Sequence, residues 1–197
     1  MRRIGNLLLL VGIICIFIYG YQISSLEQKQ DTALVEATQK IEHEDKPKEV
    51  IEAGNFSPHD NFFVNAGEAF ATLEIPKLDK QLPVVGGTDP DSLDRGVGHL
   101  SNSVFPGQGE QILLSGHRDT VFRDFGELEI GDQFVVNMPY GTFIYEIRET
   151  EIVPEDDTSV IRDMGEEVLV VTTCYPFHYI GGAPERFVTY AYPVENN

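Results

Sequence analysis

The sequence predicts a mostly β protein, a closed β-barrel with short helices, preceded by one N-terminal membrane-spanning helix. From residue 69 onward, short apolar or alternating runs are separated by turn residues, which is the pattern of strands. The 18 Gly and 11 Pro of the chain supply many turns, and the helical candidates in this part are short. Many short strands at close spacing favour a closed barrel, because closure leaves no unpaired sheet edge.

The N-terminal apolar segment covers residues 4–23 and contains no charged side chain. Twenty residues at ~1.5 Å rise each span roughly 30 Å, the thickness of a bilayer's hydrocarbon core. Arg2 and Arg3 precede the segment, so the positive-inside tendency keeps the N-terminus cytoplasmic. No clear small-x-small cleavage site follows, and we interpret residues 1–25 as an uncleaved signal anchor of a single-pass membrane protein. A cleaved signal peptide is the alternative, and either one exports the remaining chain.

Residues 26–65 are polar, charged and poor in aromatic side chains. This composition predicts a stalk, partly helical or disordered, that lifts the following domain off the membrane. The folded domain then covers residues 66–197.

Within that domain the hydrophobic pattern predicts about seven strands, each bounded by turn residues. The first alternates and ends at Pro76, and the sixth is a β-branched run. A single helical turn at 91–95 follows Asp89 and Pro90. The predicted strands are 69–75, 81–85, 111–114, 133–136, 142–153, 167–173 and 186–194.

Charge and cysteine content exclude some classes of protein. The chain has 14 basic and 32 acidic residues, a formal net charge of −18, which would repel a nucleic-acid backbone. Its two cysteines are Cys15, inside the apolar segment, and Cys174. Because these two cannot meet, no disulfide framework is expected and the thiol of Cys174 is free.

Cys174 follows the apolar run 168–173 and precedes Pro176 by two residues. This pattern places the thiol at the rim of a sheet, rigidly held and accessible. A thiol with the usual pKa of about 8.5 is only slightly ionised at neutral pH, so a nucleophilic role requires a cationic neighbour. The alternative is a small, buried and inert side chain.

His117 is the preferred candidate for that neighbour among five histidines. It follows a buried strand, Gly116 lets the chain turn there, and Asp119 could orient the ring or pair with an arginine. The remaining histidines are His43, His59, His99 and His178.

The other histidines have different expected places. His43 and His59 lie in or near the stalk, where a solvated role is expected. His99 is near a predicted turn and could line a pocket. His178 belongs to a loop close to the expected substrate groove.

Arg186 begins the last predicted strand. A fixed guanidinium beside a reacting carbonyl can hold the substrate or stabilise a developing oxyanion. The alternative is a rim salt bridge with Glu185 or another acid.

Together these motifs resemble the sortase family, and specifically its class D branch. The resemblance covers about residues 66–194 and rests on Ser-Gly-His-Arg-Asp-Thr at 115–120, Thr-Thr-Cys-Tyr-Pro-Phe at 172–177 and Glu-Arg-Phe-Val at 185–188. The family's cysteine signature is Thr-Leu-x-Thr-Cys, and Val170 and Val171 stand at its first two positions here. Both substitutions are compatible with a strand, so we expect this difference from the family signature to affect substrate preference.

The resemblance implies an eight-stranded barrel with a groove at its rim. It also implies that Cys174 attacks the threonine carbonyl of a Leu-Pro-x-Thr-Gly-like sorting signal, while His117 serves as acid and base and Arg186 binds the carbonyl or oxyanion. An amine from a cell-wall precursor or a pilin lysine then resolves the thioacyl enzyme. Asp119 is expected to be auxiliary. The expected substrate-binding residues are Val171, Thr172, Thr173, Tyr175 and His178.

No cofactor is expected. The acidic residues Glu151, Glu155, Asp156 and Asp157 could bind calcium, as this region does in related sortases, but a solvated acidic loop is the preferred interpretation. Two other functions remain open at this stage. One is a membrane-anchored cysteine peptidase that transfers its acyl group to water, and the other is a non-enzymatic binding barrel.

Overall fold

The computed structural model describes residues 2–43, 62–178 and 181–194. Two helices and eight strands make up these ranges, with single 3-10 turns at Pro76–Leu78 and Phe125–Glu127. The helices are α1 (Arg2–His43) and α2 (Pro90–Arg95). The strands are β1 (Ala69–Ile75), β2 (Lys80–Gly86), β3 (Val97–His99), β4 (Gln111–Gly116), β5 (Gln133–Met138), β6 (Gly141–Pro154), β7 (Val168–Tyr175) and β8 (Glu185–Pro193).

The eight strands close into one barrel in the order β1-β2-β3-β4-β7-β8-β6-β5. The β2–β3 and β4–β7 pairs are parallel, and the others are antiparallel. The predicted closed β-barrel is therefore confirmed. The strand missing from the pattern analysis is β3, whose three residues are too few to display a period of two.

Side chains alternate between the barrel interior and a second apolar layer outside β4, β7 and β8. This follows from strand geometry, because successive residues point to opposite faces. The interior includes Leu73, Ile75, Ile112, Leu114, Phe122, Phe125, Phe134, Phe143, Tyr145, Ile147, Leu169 and Val171. The outer layer consists of Leu113, Val153, Val160, Val168, Val170, Val188 and Tyr190.

Glu167 is a buried carboxylate at the end of the barrel where β7 begins. It accepts hydrogen bonds from the backbone N–H groups of Gly107, at 3.0 and 3.1 Å, and Gly109, at 3.0 Å. The hydroxyl of Tyr145 donates to it at 2.7 Å. The carboxylate thus joins the β3–β4 connection to β6 and β7, and it satisfies donors that burial would otherwise leave unpaired.

Helix α1 is continuous from Arg2 to His43 and crosses the predicted anchor boundary at residue 25. Its part within Ile4–Glu42 is long and apolar enough to cross a membrane. Residues 4–23 are exposed along the helix, as a lipid-facing segment requires.

The second half of α1 packs against the barrel. Ala33 and Ala37 are fully buried against Ala69 of β1 and Val85 of β2. Alanine at these positions lets the helix backbone approach the sheet closely. Residues 26–43 of the predicted stalk are therefore a docked helix, and Phe62 and Val64 near its end pack against the barrel core, while residues 44–61 lie outside the described residues. The boundaries 1–25, 26–65 and 66–197 stay predictions.

Ion pairs border this contact. Lys29 pairs with Asp94 at 2.8 Å and Glu36 with Arg95 at 2.7 Å. The ammonium of Lys40 donates to Glu68 at 2.7 Å, which, with hydrogen bonds from Asn65, lowers the pKa of Glu68 to about 2. Glu68 therefore contributes to docking above its ordinary pKa of 4.5, and this contribution is lost as the pH falls toward 2.

We expect Glu167→Ala to lower the free energy of unfolding by about 3 kcal/mol, because several buried donors lose a charged acceptor. Thermal unfolding of the protein should show a melting temperature roughly 6–12 °C lower. The matched control is Glu166→Ala at the exposed neighbouring position, which should melt like wild type. Equal melting of both variants would contradict the proposed anchoring.

We expect Ala37→Glu to detach the second half of α1, because a carboxylate would be buried against Ala69 and Val85 without a partner. In the detergent-solubilised chain, trypsin should then cut after Lys29 and Lys40 roughly tenfold faster, as local opening becomes more frequent. Val35→Glu changes an exposed position two residues away and serves as the control. Unchanged cleavage in Ala37→Glu would show that the contact contributes little.

Candidate active site

His117, Cys174 and Arg186 lie at the same end of three neighbouring strands. Cys174 in β7 is directly opposite Arg186 in β8. In the parallel pair β4–β7, Gly116 is opposite Thr173, so the next residues along the two strands, His117 and Cys174, are neighbours. The pairing thus brings Cys174 beside His117, which is 57 positions earlier in the chain, and beside Arg186, which is 12 positions later.

The side chains of Cys174 and Arg186 are on the outer face of the barrel. Val171 belongs to the interior and Val170 to the outer layer, so alternation places Cys174 outside with Val170. The same alternation along β8 places Arg186 on the side of Val188. Cys174 and His117 are both half-buried, and Cys174 carries a free thiol.

Gly116 ends β4 immediately before His117, and its lack of a side chain is required there. A Cβ on Gly116 would lie 2.5 Å from the ring of Phe122, too close for any real side chain. The chain then turns, with the N–H groups of Thr120 and Phe122 donating to the carbonyl of His117 at 3.3 and 3.1 Å. This turn fixes the backbone that carries the imidazole.

Arg186 is held at the rim by backbone and acidic partners. Its Nη1 donates to the carbonyls of Ala183, at 3.2 Å, and Glu185, at 3.1 Å. Its Nη2 lies 3.5 Å from the carboxylate of Glu155. The rim salt bridge considered in the sequence analysis is therefore present, with Glu155 as the acid. Since Glu155 is exposed, this pair can separate at little energetic cost.

The outer face of β7 is covered near its start and partly exposed near Cys174. Thr172 is half-buried, whereas Val188, which lies opposite it, is 0% exposed. Val160 of the β6–β7 connection, 155–167, packs on this outer layer, and its carbonyl accepts a hydrogen bond from the side-chain amide of Gln111 in β4 at 2.8 Å.

A concavity of about 340 Å³ lies beside the turn that follows His117. Its lining residues are Arg118, Asp119, Arg123, Asp124, Gly126, Glu127, Phe177 and His178. His178 is exposed there, at the start of the β7–β8 connection.

Two of the predicted substrate-binding residues need correction. Val171 is fully buried in the barrel interior, and Thr173 is 2% exposed with its hydroxyl donating to the carbonyl of Gly116 at 2.8 Å. Neither side chain can reach a substrate on the outer face, because both point into the barrel, on the opposite face of β7 from Cys174. Thr172 is half-buried on the outer face of β7. Tyr175 packs its ring against Phe177.

Asp119, expected to be auxiliary, has a side chain that is 77% exposed, and its carboxylate lies 3.5 Å from Nε of Arg118. Of the two possibilities considered for it, pairing with a neighbouring arginine is the one observed. An exposed carboxylate of this kind is only weakly constrained.

His99 is a core residue and does not line a pocket. It is 3% exposed, its ring stacks on Phe105, and a ring nitrogen lies 2.9 Å from the carbonyl of Val104. Burial lowers the pKa of His99, which favours the neutral ring. His59 and the side chain of His43 lie outside the described residues.

Within residues 2–43, 62–178 and 181–194, no group of three or more His, Cys, Asp or Glu side chains is arranged to hold a metal ion. Three of the four acids considered for calcium have separate partners. Glu151 accepts from the hydroxyl of Tyr190, Glu155 pairs with Arg186, and Asp157 accepts from the N–H of Ser159.

The sequence does not predict the roles of two structurally important residues. Glu167 is the first residue of a predicted strand, and nothing in the pattern distinguishes it from an exposed acid. Arg118 lies within the motif at 115–120, and its position directly after His117 is the one sequence feature that indicates a role.

The barrel and the Cys–His–Arg row define a class of enzyme, the sortase-type cysteine transpeptidases. A family model described as the Sortase domain matches residues 73–194. The chain is 45% identical over 176 residues to Sortase D of Bacillus subtilis, covering 87% of each protein. The chain belongs to the sortase family, and the class D resemblance predicted from its motifs is confirmed.

Solved structures agree with this assignment. The catalytic domain of B. anthracis SrtD is 39% identical, with a TM-score of 0.58, and the match covers 73% of this chain and 97% of that one. Sortase E1 of Streptomyces coelicolor, solved with a tripeptide in its active site, is 28% identical with a TM-score of 0.60, over 66% and 90% of the chains. Sortases are envelope enzymes that act on surface proteins bearing sorting signals.

The two faces of β7 should respond differently to substitution. We expect Val171→Ala to lower the free energy of unfolding by roughly 2 kcal/mol, because it leaves a cavity in the core, with no change in KM for a peptide substrate. Thr172→Ala should leave stability within about 0.5 kcal/mol and raise KM. Chemical denaturation and steady-state kinetics of both variants measure this, and a raised KM in Val171→Ala alone would reverse the assignment of faces.

Proposed function

We propose that this chain cleaves a Leu-Pro-x-Thr-Gly-like C-terminal sorting signal after threonine and transfers the protein to an amine. The observation that supports this most strongly is the strand register, in which Cys174 is opposite Arg186 and the Gly116–Thr173 pair brings the next residues, His117 and Cys174, beside each other. Nucleophile, proton carrier and fixed cation are the three groups that amide transfer through a thioester requires.

In the first half-reaction, the thiolate of Cys174 attacks the threonine carbonyl carbon and a tetrahedral intermediate forms. The guanidinium of Arg186 leaves Glu155 and binds the oxyanion, which carries a full negative charge. The C–N bond to glycine then breaks. The imidazolium of His117 donates its proton to the departing amine, which leaves a thioacyl enzyme and a neutral imidazole.

In the second half-reaction, an acceptor amine attacks the thioester carbonyl. Neutral His117 takes the proton that the amine loses, Arg186 again binds the oxyanion, and the C–S bond breaks to release the amide and the thiolate. Thiol and imidazole supply the nucleophile and the proton transfers, so we propose no cofactor and no calcium requirement. The acceptor is an amine of a cell-wall precursor or a pilin lysine.

We propose that the peptide binds in an extended conformation across the outer face of β7 and β8, beside the half-buried Thr172 and Cys174. The tripeptide in the active site of the related sortase E1 is consistent with peptide binding at such a site.

The N-terminal helix supports a location at the outer face of the cell membrane. We propose that α1 spans the membrane once, with the N-terminus cytoplasmic and the barrel outside. Because the second half of α1 packs on the barrel, the active site is kept close to the membrane, where surface proteins and lipid-linked precursors meet.

The test compares wild type with Cys174→Ala, His117→Gln and Arg186→Met in cleaving a fluorogenic Leu-Pro-x-Thr-Gly-type peptide. We expect Cys174→Ala to form no thioacyl species detectable by mass spectrometry. His117→Gln should lose roughly 10²–10⁴-fold in kcat/KM, and Arg186→Met roughly 10²–10³-fold. An exposed arginine elsewhere, changed in Arg148→Met, should retain wild-type activity.

Adding an amine acceptor separates the remaining possibilities. A transpeptidase yields an amine adduct in proportion to acceptor concentration, whereas a peptidase yields only the free acid. Absence of both cleavage and a thioacyl species across a peptide library would overturn the proposed function.

A further inference from the structure

Arg118 is a charged residue in an unusual position. It is 7% exposed, and its side chain is 5% exposed, although arginine is rarely buried unless it is well paired. It directly follows His117 and is the second residue beyond the end of β4. Burial of a guanidinium so close to the proposed acid–base residue requires an explanation.

The contacts of Arg118 connect two separate parts of the site. Nη1 donates to the carbonyl of Pro176 at 2.6 Å and Nη2 to the carbonyl of Gly181 at 3.0 Å. Pro176 lies two residues after Cys174, and Gly181 lies further along the same β7–β8 connection. One side chain therefore ties the backbone beyond His117 to two points of the connection that follows Cys174.

The strand ladder cannot provide this connection. The β4–β7 pairing ends at Gly116 and Thr173, whose hydroxyl donates to the Gly116 carbonyl. His117 and Cys174 are each one residue beyond that pair, so backbone pairing does not fix their separation. Arg118 restores a link across the gap immediately beyond them.

We infer that Arg118 is a positioning residue that holds His117 at its working distance from Cys174, an inference that rests on the proposed roles of those two residues. The planar guanidinium donates to two carbonyls at fixed angles, a geometry that the single ammonium of lysine does not reproduce. A displacement of about 1 Å in a catalytic group can cost roughly 10²-fold in rate.

The experiment uses the full chain in detergent with Arg118→Lys and Arg118→Met, and Arg148→Met as the control. Arg148 is an exposed arginine on β6 and does not line the concavity beside His178. Each protein is examined by thermal unfolding, by kcat and KM for peptide cleavage, and by the imidazole C–H resonances of its histidines across pH. His99, buried in the core, reports on the integrity of the fold in the same spectra.

We expect kcat to fall roughly 10-fold in Arg118→Lys and 10²-fold in Arg118→Met, with KM changed less than about threefold, because Thr172 is unchanged. The His117 resonances should shift in both variants, while those of His99 match wild type. Arg148→Met should resemble wild type in every measurement.

Other outcomes overturn the inference. Folded Arg118 variants with wild-type kcat and unchanged His117 resonances would show that the side chain does not position the imidazole. A loss of activity that only follows the fraction unfolded, with His99 resonances altered as well, would assign Arg118 to general stability. The spectra are informative even if wild type cleaves no peptide, a result that would count against the proposed function alone.

Discussion

The parallel pairing of β4 with β7 is the constraint on which the rest of the site depends. Pairing of Gly116 with Thr173 sets the phase of both strands, and a shift of one residue would send Cys174 into the barrel and Val171 out of it. Buried apolar side chains on both faces of β7 oppose such a shift. Leu169 and Val171 pack in the interior, and Val168 and Val170 pack in the outer layer. The position of the thiol is thus determined by hydrophobic packing along the whole strand.

Closure of the barrel makes its outer surface available for chemistry. The interior is filled by large side chains, including Phe122, Phe134 and Tyr145, so no ligand can enter it. The β6–β7 connection covers part of the outside of β4, β7 and β8. Cys174 and His117 lie beyond the end of this outer layer, and both are half-buried.

Two buried charged side chains in this molecule hold the backbone of loops in place. Glu167 accepts from N–H groups of the β3–β4 connection, and Arg118 donates to carbonyls of the β7–β8 connection. Connections lack a ladder of their own, so their backbone groups must find other partners when buried. A single ionised side chain can satisfy several of them, and it holds the loop in one conformation as a result. The docked helix α1 shows the exposed counterpart, in which ion pairs border an apolar contact.

The sequence alone determined the fold class and the candidate catalytic residues. Alternating apolar runs revealed seven of the eight strands, and the motifs around His117, Cys174 and Arg186 identified the family, because these signals are local in the chain. The tertiary structure decided what depends on contacts between distant segments. It decided that Val171 and Thr173 face inward, that α1 docks on β1 and β2, and that Arg118 and Glu167 are buried against loops. In a run of β-branched residues, the sequence does not show which side chains point into the barrel, and it does not show which group a given charged side chain will contact. Both depend on how the strands pair and on closure of the barrel.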